Sequence, residues 1–128
     1  MQTYDYCLLT VKKNGLELPN MKWKSPEICM AAVEQNGFAI DFIENQTPDL
    51  CMAAVKQNGF ALSCIRNQTP ELCLAAVKQN GNALYYVKNQ TEKICIAAIK
   101  QDCKSYGYVK NKTPKIFMAK ILHKKANL

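Results

Sequence analysis

Residues 47–68 read TPDLCMAAVKQNGFALSCIRNQ, and residues 69–90 directly after them read TPELCLAAVKQNGNALYYVKNQ. The two stretches are nearly identical over their first halves and align without a gap. Carried outward, the register gives units Thr3–Lys24, Ser25–Gln46, Thr47–Gln68, Thr69–Gln90 and Thr91–Lys112, then a truncated copy, Thr113–Leu128. A fixed period between about 20 and 50 residues marks a solenoid or array. The expected fold is therefore all-α: an α-solenoid of short two-helix repeats, 22 residues per unit, with five full copies and a truncated C-terminal cap. Residues 1–128 form a single repeat domain on this reading.

The local chemistry of a unit supports two helices. Thr69, Pro70 and Glu71 supply a hydroxyl N-cap, a residue that needs no amide donor, and a negative charge at the positive end of the helix dipole. The apolar run Leu72–Val77 follows and stops near Asn80–Gly81. Glycine there is expected in the left-handed conformation just past the helix end. Ala83, Leu84 and Val87 then mark the buried face of a shorter second helix. The first helix is apolar almost all round, so it is expected to lie between neighbours, with the Ala pairs at 31–32, 53–54, 75–76 and 97–98 allowing close approach. Departures at the ends, Leu9–Thr10 and Pro19 in the first copy and Lys120 in the last, read as capping units with polar outer faces and a whole small protein.

Seven cysteines would suggest a disulfide scaffold in a short secreted chain, but their placement argues otherwise. Cys7, Cys29, Cys51, Cys73 and Cys95 each take the fifth position of a unit. Stacked helices sit about 8–10 Å apart, beyond the roughly 4.4–6.8 Å Cα separation of a disulfide. They read as a structural ladder of buried thiols in a reducing compartment. The chain shows no signal peptide and no apolar run long enough to span a membrane. Asn45, Asn67, Asn89 and Asn111 match a glycosylation pattern, yet each precedes a helix-capping Thr and reads better as a turn residue.

The net charge is +7, unevenly spread: residues 1–64 carry −2 and residues 65–128 carry +9. Lys12, Glu34, Lys56, Lys78 and Lys100 form one row of equivalent positions, and Lys22, Glu44, Arg66, Lys88 and Lys110 another. The last unit adds a basic patch of Lys112, Lys115, Lys120, Lys124 and Lys125. Such an end suits nucleic acid, an anionic surface or an acidic protein, and equally suits plain solvation.

Comparison among the copies separates scaffold from surface. Leu18, Ile40, Leu62, Leu84 and Tyr106 share one position, whereas the neighbouring positions of the second helix vary freely. The expected partner-binding residues are Phe42, Arg66, Tyr85, Tyr86, Lys88, Tyr108 and Lys110; Phe38, Phe60 and Tyr106 read equally well as filler of the stack. Catalysis is not expected. The single histidine, His123, lies in a lysine-rich tail, and no nucleophile–base pair, phosphate loop, metal-ligand spacing or cofactor motif is present in the sequence.

The repeats in residues 25–112 resemble the family known as domain of unknown function 4116, and the flanking units follow it more loosely, with departures at Pro19 and Asp102–Cys103. The resemblance implies an origin in a giant DNA virus of amoebae or an intracellular bacterium, and an interaction role in a virion or infected cell. The expected function is thus a non-enzymatic scaffold that binds a protein inside the cytoplasm or nucleus or within a virion. The alternative is a nucleic-acid-associated protein using the basic half, and self-assembly of unlike halves is a third arrangement.

Overall fold

The structure, a computed structural model, describes residues 2–126 apart from the side chains of Lys125 and Ala126, so Lys125 of the expected basic patch lies outside the described residues. Helices α1 (Tyr4–Lys13), α2 (Pro26–Gln35), α3 (Pro48–Gln57), α4 (Pro70–Gln79), α5 (Glu92–Gln101) and α6 (Pro114–Ala126) alternate with 3-10 helices η1 (Gly15–Asn20), η2 (Gly37–Phe42), η3 (Gly59–Cys64), η4 (Gly81–Tyr86) and η5 (Cys103–Tyr108). Each α-helix packs on the next and each 3-10 helix on the next, giving two parallel rows. Among the described residues there is no strand, and the helical unit recurs with the 22-residue period.

Capping follows the sequence closely. The hydroxyls of Thr3, Ser25, Thr47, Thr69, Thr91 and Thr113 each accept a hydrogen bond from the amide three residues on. The second helix differs from expectation. It winds as a 3-10 helix, with Asn14, Asn36, Asn58, Asn80 or Asp102 as its N-cap, the side-chain oxygen accepting from the amide two residues later. Asp102 does this as well as Asn, and Pro19 sits inside η1 without interrupting it.

The glycine expectation needs correction. No described residue, glycine or other, has a positive φ. Instead Gly15, Gly37, Gly59 and Gly81 each begin a 3-10 helix where two backbones nearly touch. A Cβ on Gly37, Gly59 or Gly81 would stand 2.4–2.5 Å from the carbonyl oxygen of Ala54, Ala76 or Ala98 in the following unit. The small Ala of that unit and the Gly of this one are two halves of one close approach. The amides of Gly15, Gly37, Gly59 and Gly81 also donate to the side-chain oxygens of Gln35, Gln57, Gln79 and Gln101, at 2.5–2.6 Å.

The core runs through the stack as a ladder. Val11, Val33, Val55, Val77 and Ile99 are fully buried beside Ala32, Ala54, Ala76 and Ala98, and Leu18, Ile40, Leu62 and Leu84 fill the second row. The cysteine ladder is buried as expected, and all seven cysteines are free thiols. Two positions break the pattern in the fifth unit. Ser105 stands where the second, third and fourth copies carry Ala, and its hydroxyl is buried without a partner. Tyr106 replaces Leu and is only half-buried.

Gly59→Ala is expected to lower stability by about 1–3 kcal/mol, the cost of overpacking a tight contact. Gly107→Ala, where an added Cβ meets nothing within 4 Å, should leave stability unchanged or raise it by up to about 1 kcal/mol. Urea denaturation of the pair checks this.

Candidate binding face

A second set of glutamines fixes the face on which the variable residues sit. The Gln46 amide nitrogen donates to the carbonyls of Ile40 and Cys64, and its oxygen accepts from the Arg66 amide. Gln68 holds the Tyr86 carbonyl and the Lys88 amide in the same way. Gln90 holds the carbonyls of Leu84 and Tyr108 and the Lys110 amide. Even Gln2, ahead of the first unit, repeats the motif on the Asn20 carbonyl and the Lys22 amide. Each side chain satisfies a donor and an acceptor left over where a 3-10 helix ends, and it does so across a unit boundary. The backbone of Tyr86, Lys88, Tyr108 and Lys110 is therefore set by the unit before it.

The ladder lapses at Lys24, which stands where the second, third and fourth units carry Gln. One unit further on, Arg66 adds a contact of its own, back onto the second unit. Its guanidinium donates to the carbonyls of Ile43, at 3.1 Å, and Glu44. Arg66 thus ties the third unit to the second while remaining exposed.

On this frame four rings form a continuous strip. Phe60 meets Tyr86 with centroids 6.1 Å apart, Tyr86 meets Tyr85 at 5.1 Å, and Tyr85 meets Tyr108 at 5.4 Å, all edge-to-face. Tyr85 is 64 % exposed and Tyr108 42 %. An edge-to-face pair contributes about 0.5–1.5 kcal/mol beyond its burial, so the strip is held in one arrangement while its outer surface stays open. The exposed Lys88 and Lys110 leave the same clamped segments, two residues beyond Tyr86 and Tyr108. Phe42 is exposed as well, but it lines a separate groove of about 500 Å³ with Leu18, Met30 and Leu50, outside the ring strip.

The basic C-terminal patch is less uniform than its sequence suggests. Lys120 lies 4.3 Å from the centroid of the Tyr106 ring and Lys112 5.3 Å, and Lys112 also donates to the Val109 carbonyl. Lys115 approaches Glu92 at 4.0 Å, and Lys124 is exposed. Tyr106 is consequently a seat for lysines and, at 6.5 Å, a neighbour of Phe117, not another fully covered scaffold residue. Among the described residues no group of three or more His, Cys, Asp and Glu is placed to hold a metal ion, and no helix is long and apolar enough to cross a membrane.

The thiol ladder abuts the clamps. The thiols of Cys73 and Cys95 lie 3.6 and 3.7 Å from the side-chain oxygens of Gln68 and Gln90. Burial pushes the thiols of Cys29, Cys51, Cys73 and Cys95 above their ordinary pKa, opposed by Lys24 at Cys29 and Arg66 at Cys51 and reinforced by Glu92 at Cys95.

Two glutamine ladders, a glycine–alanine seam and a surface of variable aromatics define a helical repeat protein whose units differ mainly on one exposed face. Residues 25–69, 47–91 and 69–112 match the family described as a domain of unknown function (DUF4116), each match spanning two units and stepping on by one. Together these stretches cover well over half of the chain, which belongs to that family. No curated protein and no solved structure matches the chain.

The sequence reading missed Phe60 as part of the strip and missed the clamps. Their signal was present as Gln46, Gln68 and Gln90 at one position, with Gln2 one period ahead of Lys24. Gln68→Leu should lower stability by about 0.5–1.5 kcal/mol through loss of the exposed hydrogen bonds to the Lys88 amide and Tyr86 carbonyl; a urea midpoint equal to that of the parent would contradict the clamp. The buried thiols remain protonated in the fold while unfolded thiols ionise above 9.0. The unfolded state then binds fewer protons, so their contribution is complete below that pH and fades as pH rises through the raised folded values. The fall in urea midpoint between about pH 8 and about pH 10 is expected to shrink in Cys73→Ala.

Proposed function

We propose that this chain is a non-enzymatic repeat scaffold that binds another macromolecule, a protein in the leading reading, through the strip Phe60–Tyr86–Tyr85–Tyr108. The observation that carries the reading is the strip itself: ordered aromatic rings with open outer surfaces, on backbone fixed by Gln68 and Gln90. Preorganised aromatics are the residues on which protein recognition concentrates its energy, because they bury large areas with little side-chain entropy to lose. A place in a virion or an infected host cell, in cytoplasm or nucleus, accords with the kind of protein in which such repeats are expected.

Lys88 and Lys110 favour one further reading, nucleic acid laid along the same strip with bases stacked on the tyrosines. Salt separates the two. Phosphate contacts release counterions, so affinity for nucleic acid falls steeply as salt rises, whereas burial of apolar area responds weakly. Titration of labelled single- and double-stranded nucleic acid is expected to show no binding that survives about 150 mM salt. Tight binding there with a steep logarithmic slope would overturn the protein reading. For the protein partner, Tyr85→Ala with Tyr86→Ala should weaken binding by roughly 10–100-fold, about 1.4–2.8 kcal/mol, with a modest loss of stability from the removed ring pairs. A large loss of stability with unchanged binding would make the strip packing alone.

A further inference from the structure

The stack ends in two apolar faces that fit one another. Each α-helix shows one face to the unit before it and the opposite face to the unit after it. Ile116 of α6, which among the described residues packs on only one α-helix, the preceding α5, is buried, as are its equivalents Ile28, Leu50, Leu72 and Ile94. That position therefore faces backward, and in α1 it holds Tyr6, 51 % exposed, beside exposed Leu9. Cys7 and Val11 of α1, which among the described residues packs on only one α-helix, the following α2, are fully buried, so those positions face forward. In α6 they hold Phe117 and Ile121, exposed by 46 % and 39 %, flanked by exposed Met118 and Leu122. The polar capping faces expected from the sequence are absent here. Lys120, the charged residue that suggested one, reaches instead over the Tyr106 ring.

We propose that a second copy of the chain occupies these faces head to tail, with α1 of one copy stacked on α6 of the next. The contact continues an interface that the chain already builds between each α-helix and its successor. In that junction backward-facing residues of one helix meet forward-facing residues of its predecessor. Tyr6 and Leu9 supply the first set, and Phe117 and Ile121 the second, with Met118 and Leu122 at the rim. Charge selects the arrangement. Residues 1–64 carry −2 and residues 65–128 carry +9, so head-to-tail pairing brings unlike halves together and tail-to-tail pairing brings the two +9 halves together. The face is heterologous, so each added copy leaves a new free end and association is open-ended. Only the α row continues, since no described 3-10 helix follows α6. With one row of helices in contact the interface is a small one, and association is accordingly weak and reversible.

Sedimentation velocity on the full chain tests this, from about 10 µM to about 1 mM, the range in which weak contacts form. The sedimentation coefficient is expected to climb with concentration. Tyr6→Glu with Leu9→Glu closes one end, and Ile121→Glu with Leu122→Glu closes the other. Each variant alone should stay monomeric, with the far-UV circular dichroism of the parent. An equimolar mixture should form a dimer and nothing larger, because one open face of each kind remains. Tyr85→Ala should assemble as the parent does, which separates this face from the aromatic strip. A parent that stays monomeric throughout, a variant that still associates alone, or folded variants whose mixture stays monomeric would each overturn the proposal.

Discussion

Everything in this molecule depends on how closely one unit's 3-10 helix approaches the next unit's α-helix. Glycine on one side and alanine on the other bring the backbones to a separation that no added Cβ tolerates. At that distance the glycine amide is shut away from water and needs an acceptor, which the glutamine three residues after the alanine supplies. Close approach and hydrogen bond require each other. A glycine without its glutamine would leave a buried donor unpaired, and a glutamine without the glycine would have no amide to reach.

The second glutamine ladder extends the same logic to the surface. A 3-10 helix of six residues leaves its terminal groups unpaired, and a unit of 22 residues has little else with which to satisfy them. Gln46, Gln68 and Gln90 do so from the neighbouring unit. Side chains on those segments are then relieved of structural duty and can differ from copy to copy. Ser63, Tyr85 and Gly107 share one position, and Cys64, Tyr86 and Tyr108 another. The scaffold is repetitive so that the face need not be.

Much of this was legible in the sequence, for definite reasons. Hydroxyl caps, the apolar run and the period follow from local chemistry, so helix α4 could be placed from Thr69–Pro70–Glu71 alone. Gly81 was legible as a special position but not as to why, because a close approach to Ala98 is a property of two units, and a left-handed turn is the commoner use of such a glycine. The 3-10 winding of Gly81–Tyr86 was hidden as well: over six residues, periods of 3.0 and 3.6 select nearly the same apolar positions. On the candidate face Tyr85, Tyr86 and Tyr108 were singled out because those positions vary between copies. The contact of Arg66 with the preceding unit was not legible, because the reach of a guanidinium to two backbone carbonyls leaves no pattern in the sequence. The apolar ends were hidden behind Lys120, whose direction no sequence pattern records.

Residue-resolved hydrogen exchange of the backbone amides tests the central claim most directly. The amides of Gly37, Gly59, Gly81, Lys88 and Lys110 take their acceptors from glutamine side chains of a neighbouring unit. If those side chains hold the stack together, these amides exchange as slowly as the helical core, through the same cooperative opening. Exchange at the rate of free loop amides, with the helices still protected, would contradict the account.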